Sequence, residues 1–251
     1  MLPAQPNRSL IDGMAILQAI AAVGGDVGVR ELGRQLELES TRVHRLLRTF
    51  VHLGLVERTA EGRYRPGPGI HVLAAQSLFG SGLIRRAMLV LEQLSVHNRM
   101  VAMGVLWRDQ TSYLYHAEPG MSPTDALGRV GLYPATRSSI GLVLLAERPA
   151  DELANLYADR DTPGFPGGLP SLKQALATIR RDGYALVDEA PPTARRTLAV
   201  PVGRPAYAAV ALAGRITKPQ LSALLAALRD AAQVIDAGAN PSSLSHTESS
   251  P

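Results

Sequence analysis

Five side chains within eight residues pose the chemical question. Thr41, Arg42, His44, Arg45 and Arg48 sit in the run STRVHRLLRTFVHLG at 40–54, which contains no acid. A guanidinium presents a planar fork of donors that matches guanine O6 and N7, or two phosphate oxygens. Val43, Leu46, Leu47 and Phe50 follow the i, i+3, i+4, i+7 spacing of one buried helical face. Thr41, Arg45, Arg48 and His52 fall opposite that face, with Arg42, His44 and Thr49 on its flanks. Ser40 is expected to cap the helix and Gly54 to stop it. An ordinary solvated face with three arginines has the same pattern, so the neighbouring elements must decide.

Those neighbours are consistent with DNA reading. A first helix is expected from an N-cap at Ser9 to about Val23, broken by Gly24-Gly25-Asp26. A short helix at 29–36 and a three-residue turn, Glu37-Leu38-Glu39, lead into the arginine-bearing helix. Two short helices in that arrangement form a helix-turn-helix. Behind it, the extended runs 55–58 and 63–65 flank Thr59-Ala60-Glu61-Gly62, which gives the hairpin of a winged helix. Its Arg58, Arg63 and Arg65 are placed to reach sugar-phosphate. The expected DNA contacts are therefore Ser40, Thr41, Arg42, His44, Arg45, Arg48, Arg58, Arg63 and Arg65. Residues 1–80 hold nine arginines and seven acids, so the positive charge is local to helix and hairpin.

Composition bounds the rest. The chain has 251 residues, 46% of them hydrophobic, which is ample for real cores, and a formal charge of +4. The cations are almost all arginine, the lysines being Lys173 and Lys218. There is no cysteine, which excludes disulfides, thiol catalysis and thiolate metal sites. The start MLPAQPNRS lacks the layout of a signal peptide, and no apolar run is long enough to span a bilayer. A cytoplasmic protein is expected. No GxSxG, P-loop or HExxH occurs and no Ser–His–Asp set has informative spacing, so no enzyme, cofactor or catalytic residue is expected. His97 and His116 are read as ordinary histidines rather than metal ligands.

A second group able to do chemistry lies further on. Thr136, Arg137, Ser138 and Ser139 sit in or near the first turn of a helix expected at 134–146. Free N–H groups and a positive dipole end make that position suited to a carboxylate. Around it the pattern gives helices at 83–97, 149–156, 172–182 and 219–237. Strands are expected at 100–107, 111–118, 129–133, 183–188, 198–202 and 206–213. Helices on one side of a mostly antiparallel sheet make this an α+β domain.

The runs RSLIDGMAILQAI and VRELGRQLELESTRVHRLLRTFVHLGLVERTAEGRYRPGPGI closely resemble the IclR family of bacterial transcription regulators, and RVGLYPATRSSIGLVLLA, GYALVDE and LAVPVG resemble its later segments. The resemblance implies a winged helix-turn-helix over 1–67, a linker helix over 68–82 and a GAF- or profilin-like effector and oligomerisation domain over 83–240. The tail, 241–251, is expected to be disordered. It further implies a ligand-responsive regulator, a repressor rather than an activator, that binds double-stranded operator DNA as a homodimer or dimer of dimers and senses a small organic acid. The alternative is a second domain that only dimerises, without ligand. Carried over position by position, Gly131, Tyr133, Asp188, Arg196, Leu198, Ala211 and Ala213 would border the effector cavity. The chain departs from the family at Leu142, where a lysine is usual, and at the alanines of 209–213, where small polar residues are common. The usual glycine-tipped hairpin is shortened to Gly203-Arg204-Pro205-Ala206. The alanines imply a more apolar ligand than a two-carbon acid.

Overall fold

The computed structural model describes residues 5–128, 131–158, 160–189 and 193–238. The expected tail and the start of the strand expected at 129–133 lie outside them. The chain divides into two compact units, Met1–Ser81 and Gly82–Pro251.

The first unit begins with α1 (Arg8–Val23), α2 (Val29–Leu36) and α3 (Ser40–His52). Ile16, Ile20, Leu32, Val43 and Leu47 close its core against Val56 and Tyr64 of the hairpin. Asn7, not Ser9, caps α1, its side chain accepting from Leu10 N–H at 3.1 Å. Likewise Glu39 occupies the N-cap of α3 in extended backbone and Ser40 is the first helical residue. The far end of α3 is as expected. Gly54 takes φ 68°, while Leu55 N–H donates to Phe50 C=O at 2.9 Å and Gly54 N–H to Val51 C=O at 3.1 Å. That is the paired closure of a glycine-stopped helix. Strands β1 (Val56–Arg58) and β2 (Tyr64–Pro66) pair antiparallel, with Glu57 opposite Arg65. Helix α4 (Pro68–Ser81) starts on a proline, which is pre-set for a first turn, and buries none of its residues.

The second unit is built on a six-stranded sheet in the order β5-β4-β3-β8-β7-β6, every neighbouring pair antiparallel. Its strands are β3 (Met100–Trp107), β4 (Gln110–Ala117), β5 (Leu132–Pro134), β6 (Ala185–Asp188), β7 (Arg196–Val202) and β8 (Ala208–Gly214). Helices cover both faces rather than one. Alternation along β8 sends Val210 and Leu212 toward α5 (Leu83–Leu94) and α9 (Lys218–Ala237). It sends Ala209, Ala211 and Ala213 toward α6 (Ser139–Ala146) and α8 (Gly168–Asp182), with α7 (Ala150–Leu156) at their side. A strand apolar on both faces must be covered on both. Helix α6 is buried along its whole length, as a helix apolar all round must be.

One irregularity shapes the α6 face of the sheet. Met103 pairs with Tyr115 and Gly104 with Tyr113, so Leu114 is an extra residue in β4. Leu114 and Tyr115 both pack toward α5 and α9. Tyr113 and His116, three apart, therefore share the α6 face, their rings edge-on with centroids 5.7 Å apart.

Candidate nucleic-acid interface and ligand pocket

The turn from α2 to α3 is set by Gly33. Leu38 N–H donates to its carbonyl at 2.8 Å, and a Cβ there would stand 2.9 Å from Leu38 O. Glu37 takes a left-handed conformation, φ 55°, to complete the turn. Thr41, His44, Arg45, Arg48 and Thr49 of α3 are exposed, while Val43 and Leu47 are fully buried.

The nine candidate DNA contacts fall into two groups. Arg42 is turned onto α1, where its Nε pairs with Asp12 Oδ2 at 2.5 Å. Arg63 donates to Asp26 C=O at 2.7 Å and pairs with Glu31 at 3.2 Å, which ties the hairpin to the start of α2. Arg65 pairs across the hairpin with Glu57 at 2.9 Å. These three hold the unit together, and the positions of their acids, far away in sequence or across a strand pair, are why α3 and hairpin periodicity alone could not reveal it. Arg45, Arg48 and Arg58 make no ion pair among the described residues, and Ser40, Thr41 and His44 are exposed beside them.

The second unit holds a cavity of about 970 Å³ between the α6 face of the sheet, α8 and the loop before α8. At one end Ser138 caps α6, accepting from Gly141 N–H at 3.1 Å and sharing a 3.0 Å hydrogen bond with Tyr113. Burial pushes the Tyr113 hydroxyl above its ordinary pKa, with Ser138 opposing that shift, so it stays neutral. Thr136 and Ser139, each 2% exposed, line the same end, and their hydroxyls have no hydrogen-bond partner. Both oxygens are closed off from the cavity, so they leave buried polar groups unpaired rather than offering a ligand a contact. Arg137 beside them is exposed and makes no ion pair among the described residues. The helix starts at Ser139 rather than Pro134, because residues 135–137 form a separate 3-10 turn.

Of the positions implied for the cavity, Tyr133, Asp188 and Ala211 line it. Ala213 is on the same face, packed in the core beside it. Leu198 and Arg196 are not part of it: the register of β7 turns Leu198 toward α5 and α9, and Arg196, two residues before, follows Leu198. Arg196 instead pairs with Asp188, directly opposite on β6, at 2.7 Å. Gly131 is exposed and outside the lining. The hydroxyls of Thr136 and Ser139 and the guanidinium of Arg137 are visible in the sequence as a cluster. Tyr113 and His116 are not, since a strand without a bulge would put residues three apart on opposite faces. Among the described residues no group of histidines and acids is arranged to hold a metal, and no helix is long and apolar enough to cross a membrane.

Two family models match the chain: the IclR helix-turn-helix domain over residues 9–60, and the C-terminal domain of the bacterial transcriptional regulator IclR over residues 75–237. The chain is similar to the HTH-type transcriptional regulator BhcR of Paracoccus denitrificans, 29% identical over 93% of this chain and 88% of that one. It is 26% identical to the transcriptional repressor IclR of Escherichia coli, over 84% of this chain and 81% of that one. Its fold matches the crystal structure of an IclR homolog complexed with 4-hydroxybenzoate from Microbacterium hydrocarbonoxydans, with a TM-score of 0.68 at 21% identity, covering 91% of this chain and 98% of that one.

Proposed function

The chain belongs to the IclR family of bacterial transcription regulators, and on that footing we propose that it is a repressor that holds its operator as a pair of like chains and releases it when a small organic acid fills the pocket at the start of α6. DNA binding and transcription regulation come with the family, whose members act as regulators rather than enzymes. The repressor role is supported by the similarity to a named repressor. The acid is supported by the exposed guanidinium of Arg137 in the pocket lining beside the cap of α6, and by a fold neighbour that carries 4-hydroxybenzoate.

The observation that carries the DNA assignment is the division among the arginines. With Arg42, Arg63 and Arg65 committed to acids of their own unit, base reading falls to Arg45 and Arg48, helped by Thr41. Phosphate contact is assigned to Arg58 and His44, both exposed. Acid binding then shifts the chain between states that can and cannot span two half-sites. Arg45→Ala should lower operator affinity by roughly 1–3 kcal/mol at fixed salt and relax specificity at one base position. Fluorescence anisotropy with operator and scrambled duplexes checks both, and unchanged operator affinity removes Arg45 from the reading set.

A further inference from the structure

The floor of the pocket is built from alanine. Ala102 of β3 stands opposite Ala211 of β8, Ala211 opposite Ala199 of β7, and Ala199 opposite Ala185 of β6. One lateral row across four strands therefore presents nothing but methyl groups, and Ala102, Ala185 and Ala211 of that row line the cavity. Such a floor offers a ligand no hydrogen bond, because edge-to-edge pairing consumes the strand backbones and the side chains carry no polar atom. The lining above it is also apolar, from Met100, Leu142, Phe165 and Ile179. The exposed cation of the lining, Arg137, stands at the α6 end, while His116, which continues the row opposite Ala102, and Thr178 and Thr197 are polar groups elsewhere in the lining. The opposite rim carries Asp188 and Glu189, whose charges are met by Arg196 at 2.7 Å and Arg195 at 3.4 Å, so these four groups leave no cation over for a second carboxylate.

Size gives the third constraint. A cavity of about 970 Å³ lies at the upper end of the range that encloses drug-sized ligands. A two- or three-carbon acid would leave most of the methyl floor wet. From the floor, the head and the volume together we infer that the effector is a monocarboxylate with an extended apolar body, about six carbons or more. Its carboxylate pairs with Arg137 at the α6 end, and its body lies along the alanine row. This inference rests on the acid-sensing reading of the pocket and specifies the class of acid.

The test is calorimetric titration of the full-length protein with acetate, butyrate, hexanoate, octanoate and octanamide, all below micellar concentrations. The dissociation constant should fall roughly fourfold per added methylene from butyrate to octanoate, the gain expected for burying one CH₂. Octanamide, equal in shape but uncharged, should bind at least about tenfold more weakly than octanoate. Arg137→Ala should weaken octanoate by about tenfold. Ala175→Phe, at a half-buried position of α8 on the cavity wall, should weaken octanoate and spare butyrate. If circular dichroism shows that Ala175→Phe is unfolded, Arg137→Ala decides the location alone. A series with butyrate as tight as octanoate overturns the apolar body and leaves an acid-sensing pocket standing. Equal binding of octanamide and octanoate overturns the carboxylate head. Octanoate binding untouched by these substitutions places it elsewhere and overturns the proposal. Absence of binding by every carboxylate overturns both the proposal and the reading beneath it.

Discussion

At the scale of single residues, charge in the first unit is divided between assembly and recognition. Arg42 and Arg45 are three residues apart on one helix, yet one is half-buried against Asp12 and the other is in solvent. Removal of either should weaken operator binding for different reasons. Arg42→Ala should destabilise the folded unit by about 1 kcal/mol, the scale of an ion pair with partial burial, and weaken all DNA sequences alike. Arg45→Ala should leave the melting temperature unchanged. Thermal denaturation of both variants beside anisotropy titrations separates the two. In the second unit Tyr157 is 4% exposed, and its hydroxyl has no hydrogen-bond partner. Burial, aided by Asp109, pushes that hydroxyl up to about 12 from 10.0. The folded chain therefore resists ionisation that the unfolded chain undergoes. The contribution of Tyr157 is complete below about pH 10 and is lost as pH climbs from there toward about 12. Tyr157→Phe should cost nothing at pH 7 and flatten the alkaline fall in stability, as urea denaturation at pH 7, 9 and 11 would record.

At the scale of elements, much of the fold is legible in the chain. Periodicity locates most of the described helices and, except at the edges, the described strands, because a buried stripe repeats every three to four residues or every two; α4, which buries nothing, and α6, buried all round, have no such stripe. The ends are less legible. Asn7 caps α1 although Ser9 has the better capping context in sequence, and Glu39 precedes α3 although Ser40 does, since several polar residues stand near each start and only backbone geometry selects among them. Coverage of the sheet on both faces is concealed for a different reason: alanine at 209, 211 and 213 is too small to declare a buried face by hydropathy alone. The candidate site divides the same way. The hydroxyl cluster before α6 is contiguous in sequence and readable, whereas Arg196 and Leu198 depend on strand register, which no local pattern of β7 reports. Helix α4 shows what an element can lack. It buries none of its residues, and Val72, Leu73 and Leu78 stand 52%, 59% and 41% exposed. The pairing of like chains proposed above would give these exposed apolar side chains a cover. The double variant Val72→Asp, Leu73→Asp should sediment as a smaller species than the parent chain at equal concentration.

At the scale of the whole molecule, the reading unit is weakly charged for its task. Nine arginines are offset by seven acids within residues 1–80, and three of those arginines are spent internally. Counterion release from the remaining cations gives modest affinity at physiological salt. Two linked copies on two half-sites convert the second contact into an intramolecular one. A duplex bearing one half-site should therefore bind roughly 10²-fold more weakly than the full operator, as electrophoretic mobility titration at constant ionic strength would measure. Loss of that difference would mean that a single unit suffices.

The extra residue in β4 carries a consequence for descent rather than for binding. Gly104 faces Tyr113, Met103 faces Tyr115 and Ala102 faces His116, with Leu114 left over between them. Deletion of the Leu114 codon leaves all three pairings intact and restores plain alternation, so Tyr113 and His116 keep their common face. Deletion of a codon well away from the bulge leaves the extra residue in place and sends every later side chain of the strand to the wrong side. Gene lineages descended from this one can therefore differ in length by a codon at this site and keep the same side chains on the pocket face, at the cost of Leu114's packing on the other face and of the hydrogen bond its carbonyl accepts from Gly128 N–H at 3.3 Å.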